Sequence, residues 1–330
     1  MGYVHGGLVV ARALKEAGVS HLFTLCGGHI QNIYDGCVEV GIRVVDTRHE
    51  QSAAHAADGW AKVTGQPGVC AVTAGPGVTD AVTGVANAHR AGIPMICIGG
   101  QGPRLFADMG SLQDMNHVEL MRPITKWSVS VPEARRLGEY LQSAFRVATS
   151  GVPGPVFLEM PLDLLMDHVD EDDVVTYPKY RTAARPAGDP EYLDAAAELL
   201  RKAERPMLIC GAQLRWAKNG PQSVARFLDA LPMPTFFNSL ARGALPRSHP
   251  CVFTQVRKKA LAEADVVLVF GTPLDFRLGY GREGMPFAPG AKVIQVDLDH
   301  AEIGRNRPIE VGIVGDTGLV LDGLTERLEG

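Results

Sequence analysis

One carboxylate in the sequence is set apart by its surroundings. Glu50 falls in DTRHEQSAAHAADGWAK (46–62), where a short apolar run meets a stretch whose alanines recur at helical spacing. An acid placed there sits at a strand-to-helix junction with apolar neighbours, and a carboxyl deprived of water is suited to sharing a proton with a ligand. The same position also serves an ordinary structural role, because the helix dipole favours an acid in the first turn. Two glycine strings share this setting. GGH (27–29) and AGPG (74–77) each follow an apolar run and precede a helical pattern, and glycine there lets backbone or ligand come close. Either string alone would also serve as a plain turn. His29, next to Gly28, can face a substrate as a polar group, or be a packed or surface histidine.

The elements that must hold these residues alternate. From Gly6, LVVARALKEAG has one apolar helical face, and Gly18 ends it before the apolar run HLFTLC. Strands are expected at 42–47, 68–76, 94–100 and 154–161, with helices at 52–64, 78–91 and 132–149. Near-continuous Val, Ile and Cys runs without polar alternation imply strands covered on both faces, hence parallel sheet with helices on each side. Residues 166–189 read as a linker, acidic and then rich in Pro, Arg and Ala. Beyond it the cycle resumes, with helices at 190–203, 221–230 and 254–263 and strands at 205–211, 233–239, 265–271 and 292–299. The expectation is an α/β protein of two doubly wound parallel-sheet domains, 1–165 and 190–330. The ligand edge of the second lies near Gly211, Gly271 and Asp297, since open sheets of this kind bind at the carboxyl ends of their strands.

Composition narrows the function. With 330 residues, 46% of them hydrophobic, the chain can bury two cores. A formal charge of -5, without a run of Lys or Arg, argues against nucleic acid or anionic lipid as partner. The six cysteines show no Cys-x-x-Cys spacing, which fits a reducing cytoplasm, and neither a signal peptide nor an apolar run near 18 residues is found. A dehydrogenase reading fares poorly because no G-x-G-x-x-G follows the first strand.

The string HEQSAAHAADGWAKVTGQPGVCAVTAGPGVTDAVTGVANAHRAGIPMICIGG (49–100) resembles the pyrimidine-binding domain of thiamin diphosphate enzymes of the acetolactate synthase and 2-hydroxyacyl-CoA lyase group. The resemblance implies that Glu50 hydrogen-bonds the aminopyrimidine of thiamin diphosphate and promotes loss of the thiazolium proton. It further implies that Gly27 and Gly28 lie against the cofactor, and that Pro76 and Gly77 shape the pocket floor. GSLQDMNHVELMRPITKW (110–127) is similar to the segment that brings a glutamine, here Gln113, toward the reacting carbon; a surface loop amide is the plain alternative. Leu112 stands where many acetolactate synthases have phenylalanine, so a differently shaped acceptor pocket is expected.

GTPLDFRLGYG (271–281), QVDLDHAEIGRN (295–306) and VGD (314–316) resemble the middle domain of the same enzymes. By that resemblance Gly271, Asp275, Arg277, Asp297 and Asp316 lie along a dinucleotide site for FAD, or for ADP or coenzyme A. Asp297 suits ribose hydroxyls and Arg277 a phosphate; a surface DFR turn closed by its own ion pair is the alternative. Arg242, in SLARGALPRSHP (239–250), is similar to a segment of the acyl-CoA lyase branch. Val152 occupies the place of an FAD-contacting arginine of acetolactate synthases, which weighs against FAD.

The Gly-Asp-Gly motif that leads to Mg²⁺ ligation in this group does not occur. No metal ligand is therefore expected in the chain, and Mg²⁺ would be carried by a diphosphate-binding domain lost from a fragment or supplied in trans, leaving the chain alone inactive. The expected activity is thiamin diphosphate-dependent carbon–carbon bond formation or cleavage of the acetolactate synthase type, as in branched-chain amino acid biosynthesis, on a 2-oxo acid. A 2-hydroxyacyl-CoA lyase activity is the alternative among enzymes, and a non-catalytic partner or remnant the alternative outside them. A homodimer or tetramer is expected by the resemblance.

Overall fold

The computed structural model describes residues 2–330. The chain divides into two compact units, one ending at Thr182 and the other beginning at Ala183. The first contains, in order, β1 (Tyr3–His5), α1 (Gly6–Glu16), β2 (His21–Thr24), α2 (Gln31–Val40), β3 (Arg43–Asp46), α3 (Glu50–Thr64), β4 (Gly68–Val72) and α4 (Pro76–Ala91). It continues with β5 (Met95–Gln101), α5 (His117–Met121), β6 (Trp127–Ser130), α6 (Leu137–Thr149), β7 (Pro155–Pro161), α7 (Leu162–Met166) and β8 (His168–Asp170). The second contains α8 (Pro190–Arg201), β9 (Pro206–Cys210), α9 (Gly220–Ala230), β10 (Thr235–Phe237), α10 (Arg257–Glu263), β11 (Val266–Phe270), β12 (Lys292–Asp297), β13 (Val311–Val314) and α11 (Thr317–Glu329).

Six strands of the first unit form a parallel sheet in the order β3-β2-β4-β5-β7-β6. Every residue of β4 and β7 is buried, as the unbroken apolar runs require of strands covered on both faces. The helices begin and end where local chemistry dictates. His49 accepts the Gln51 N–H at the start of α3 and Gly65 closes its end at φ 78°, while Pro76 opens α4 and Gly92 closes it at φ 65°.

The stretch read as a linker is ordered at its start. β8 pairs antiparallel with β1, Val4 opposite Val169, so the first unit extends past 165. Helix α2 and strand β6 were also not expected.

The second unit carries a five-stranded parallel sheet, β10-β9-β11-β12-β13. Alternate residues serve two cores: Leu208, Leu268 and Ile294 pack on one face, and Met207, Ile209, Val267 and Val293 on the other. Among the described residues all six cysteines are free, and no helix is long and apolar enough to cross a membrane.

Candidate active site

At the carboxyl edge of the first sheet, the turns after β2, β3 and β4 converge with the 111–117 segment. Glu50 opens α3 and is 8% exposed. Among the described residues nothing donates a hydrogen bond to its carboxylate. The 74–77 turn lies against it: a Cβ on Gly77 would stand 3.2 Å from Glu50 Oε1 and 2.8 Å from Thr73 Cγ2. The exposed His49 and the half-buried Asp80 pair beside it at 3.5 Å (Nε2 to Oδ2), with ligating atoms of all three side chains within 4.8 Å of one another. The buried acid therefore has a solvent-accessible acid–base pair within reach.

Gly27 packs backbone-on-side-chain, since a Cβ there would fall 2.3 Å from Thr73 Cβ, whereas Gly28 faces open space. His29 is buried, its Nδ1 3.0 Å from Thr73 Oγ1. Burial lowers its pKa, against a backbone hydrogen bond with Leu112 that raises it, which favours the neutral ring. Pro76 and Gly77 form the first turn of α4 behind Gly75, whose φ of 60° and ψ of -114° suit glycine. Gln113 is half-buried with φ 59°, and a Cβ on Gly75 would stand 2.8 Å from both its Cβ and its carbonyl oxygen. Glu50, Pro76, Gly77, Gln113, Gly27, Gly28 and His29 thus share one corner, linked through Thr73 and Gly75.

Three residues that sequence reading missed support this corner. His117 is fully buried; its Nε2 accepts the Gly75 N–H at 2.8 Å and its Nδ1 lies 2.9 Å from Glu159 Oε2. Gln101 Nε2 donates to Glu159 Oε2 at 3.3 Å and to the Met115 carbonyl at 2.9 Å. The available signal was Glu159 itself, an acid inside the apolar run PVFLEMP.

In the second unit, Gly211, Gly271 and Asp297 meet at the carboxyl ends of β9, β11 and β12. A Cβ on Gly211 would stand 2.2 Å from Thr272 Cβ, and one on Gly271, at φ 62°, 2.6 Å from Gln213 Cβ. Asp297 is buried; its Oδ1 accepts from Gln213 Nε2 at 2.6 Å and from Asp299 N at 2.8 Å, while Oδ2 has no donor among the described residues. Burial pushes its pKa up to about 6, against the pull of those two bonds.

Three residues expected along the nucleotide are engaged within the fold. Arg277 is folded onto Asp275, with Nη2 2.7 Å from Oδ2, which is the closed-turn alternative. Asp316 caps α11 through the N–H groups of Gly318 and Leu319 and pairs with Arg185 at 3.2 Å. Free positive charge sits elsewhere. A cleft of about 740 Å³ at the end of β10 is lined by Arg242, Arg247, Arg257, Lys258, Asn238 and Phe253. None of its four cations has a carboxylate partner among the described residues, and burial and the charge of Arg242 lower the pKa of Arg257. Arg257 Nη1 donates to Asn238 Oδ1 at 2.6 Å, leaving the buried Asn238 Nδ2 without an acceptor.

The fold and this corner define a class. Residues 4–120 match the thiamine pyrophosphate enzyme N-terminal TPP binding domain and residues 193–324 the thiamine pyrophosphate enzyme central domain. The chain belongs to the thiamine pyrophosphate enzyme family, of which it carries these two domains. Its relatives include a probable acetolactate synthase of Mycobacterium bovis, 39% identical over 97% of this chain and 58% of that protein. The 2-hydroxyacyl-CoA lyase 2 proteins of Bos taurus and Homo sapiens are 37% and 35% identical, over 99% of this chain and 57% of each. The chain thus spans under two thirds of the length of these relatives.

Proposed function

We propose that the corner around Glu50 binds the aminopyrimidine of thiamin diphosphate, and that the chain serves decarboxylation and carboligation of a 2-oxo acid, as in acetolactate synthases. The observation that carries this reading is the buried Glu50 carboxyl, unpartnered within the fold and facing a glycine that leaves it room. An unpaired buried acid costs stability, which fits a group reserved for a ring nitrogen of a ligand. When bound, thiamin diphosphate supplies a thiazolium carbon that can lose its proton and attack a carbonyl. Glu50 holds and returns the proton at the pyrimidine nitrogen. Gly27, Gly28, Pro76 and Gly77 leave space for the ring, His29 closes one wall as a neutral imidazole, and Gln113 offers its amide to the substrate.

The second unit is assigned a nucleotide: FAD, ADP or the ADP moiety of coenzyme A. Asp297 would take ribose hydroxyls through its free Oδ2, and the cleft at Arg242 and Arg257 would take phosphates. The unbalanced charge of that cleft favours a second reading, a 2-hydroxyacyl-CoA lyase. A cytoplasmic location fits the six free thiols.

The test is proton exchange at the thiazolium carbon, followed by NMR with thiamin diphosphate and Mg²⁺ in the protein that carries this chain. Acceleration that vanishes in Glu50→Gln supports the reading; equal exchange in both proteins overturns it, and no acceleration at all marks a non-catalytic remnant. Turnover of pyruvate against a 2-hydroxyacyl-CoA separates the two activities.

A further inference from the structure

The 74–77 turn raises a physical question: what holds a glycine at φ 60°, ψ -114° between a buried strand and a helix? Backbone bonds from Gly77 N to Ala74 O and from Thr79 N to Gly75 O fix the helix side of the turn. On the other side the Gly75 N–H points inward and is taken by His117 Nε2. A buried amide without an acceptor would be unfavourable, so this bond decides where the turn sits.

The direction of each proton follows from the donors. A backbone N–H can only donate, so Nε2 must present its lone pair and the ring proton must be on Nδ1. Nδ1–H then donates to Glu159 Oε2 at 2.9 Å. The amide of Gln101 is oriented independently, because its Oε1 accepts the Gly102 N–H at 2.8 Å and its Nε2 therefore faces Glu159 and the Met115 carbonyl. The 3.4 Å approach of Gln101 Nε2 to His117 Nδ1 joins two donors and is not a bond in this tautomer. Gln101 and Glu159 stand on β5 and β7, locked in parallel register with Gly99 opposite Glu159. The titratable groups facing His117 are Glu159 and, through space, His29.

We propose that His117 is a positioning residue: a neutral imidazole, oriented by Glu159 and held in place by the sheet, that clamps the Gly75 amide and so sets both Gln113 and Gly77 with respect to Glu50. His117 is fully buried and cannot meet a substrate; it acts through the turn. Gly75 bears directly on the backbone of Gln113, and Gly77 bears on the Glu50 carboxylate. Displacement of the turn by less than an ångström is therefore felt at both groups assigned to chemistry, where small misplacements cost large factors. The catalytic meaning of this clamp rests on the assignment of Glu50 above, but its test does not.

The experiment compares His117→Gln with His117→Leu in the protein as isolated, without cofactor, reading hydrogen–deuterium exchange at the Gly75 amide by NMR. Glutamine can accept from Gly75 with its oxygen and donate to Glu159 with its nitrogen; leucine can do neither. In the Leu variant, exchange at Gly75 is expected to speed up about tenfold or more while the β4 amides stay protected, and the Gln variant is expected to restore most of the protection. His117→Asn, too short to reach Gly75, carries the same expectation as Leu should the Leu variant fail to fold. Thiamin diphosphate affinity should follow the same order, strongest in the parent and the Gln variant. Unchanged Gly75 exchange in the Leu or Asn variant, or equal loss in Gln and Leu, overturns the clamp. A failure of Glu50→Gln to alter proton exchange would remove the cofactor assignment while leaving the Gly75 result standing.

Discussion

A Cβ added to Gly77 would stand 3.2 Å from Oε1 of Glu50, closer than ordinary van der Waals contact allows. The same Cβ would press on Thr73 Cγ2 at 2.8 Å. Gly77→Ala should therefore displace the carboxylate or the threonine that fixes His29. Alanine is the better helix former by up to about 1 kcal/mol, which offsets part of an overpacking cost of about 1–3 kcal/mol. The net effect on folding should be small, whereas thiamin diphosphate affinity should fall by about tenfold or more. Calorimetric titration of the variant is the check, and parental affinity would show that the glycine is not a pocket wall.

Glu50 also makes a prediction about stability in the absence of cofactor. A buried carboxylate without a donor is a liability to the fold, so Glu50→Gln and Glu50→Leu should each raise the unfolding free energy of the cofactor-free protein, by about 1 kcal/mol. Activity should be lost in the same variants. Urea denaturation measures the first effect. A destabilised Glu50→Gln protein would mean that the carboxylate supports the fold, and the functional assignment would weaken accordingly.

Much of the fold could be read from pattern because buried parallel strands are unbroken apolar runs: GVCAV, MICIGG and VVLVF became β4, β5 and β11. Strand β6 escaped because WSVS is an edge strand whose one buried residue is Ser128, the others being partly covered, and α2 escaped because Gly36 interrupts its pattern at a point where it packs on Gly7 and Ala11. The position of Glu50 was legible, since strand, acid and helix are contiguous. The His117–Glu159 pair was not, because the two residues are 42 positions apart and meet only once β5, β7 and α5 are in register. For the same reason the resemblance could suggest Arg277 as a phosphate ligand but could not reveal that Asp275 holds it, or that Arg257 is among the cations left unbalanced.

That imbalance predicts how the second unit discriminates among anions. Arg257, half-buried and bonded to Asn238, cannot swing away as a surface arginine would. Arg257→Gln should weaken ADP or pyrophosphate binding by about tenfold, and binding to the parent should fall as salt rises. Arg277→Ala should change affinity far less, because its guanidinium already pairs with Asp275. Titrations of both variants decide between the two arginines; an equal or larger loss in Arg277→Ala would return the phosphate to the 271–281 turn.

Asp297 sets a pH dependence whose sign can be worked out. Its carboxyl ordinarily titrates near 3.8, and in the fold burial raises it to about 6, with the charges of Glu302 and Asp299 adding to the rise. Between those values the folded chain holds a proton that the unfolded chain has released. Stability therefore falls as pH rises from about 4 to about 6 and is level, for this group, above that window. A rise of about two pKa units corresponds to roughly 2–3 kcal/mol. Asp297→Asn keeps the Oδ1 acceptor for Gln213 and Asp299 but has no proton to lose, so its stability relative to the parent should increase by that amount between pH 4 and pH 7. Urea unfolding at four pH values across the window measures the difference, and a constant difference would exclude the shift. A ribose hydroxyl donating to Oδ2 prefers the ionised acid, so ADP affinity of the parent should strengthen through the same window while that of Asp297→Asn stays flat. The fold is thus least favoured by Asp297 in the pH range where its free oxygen is best prepared for a ligand.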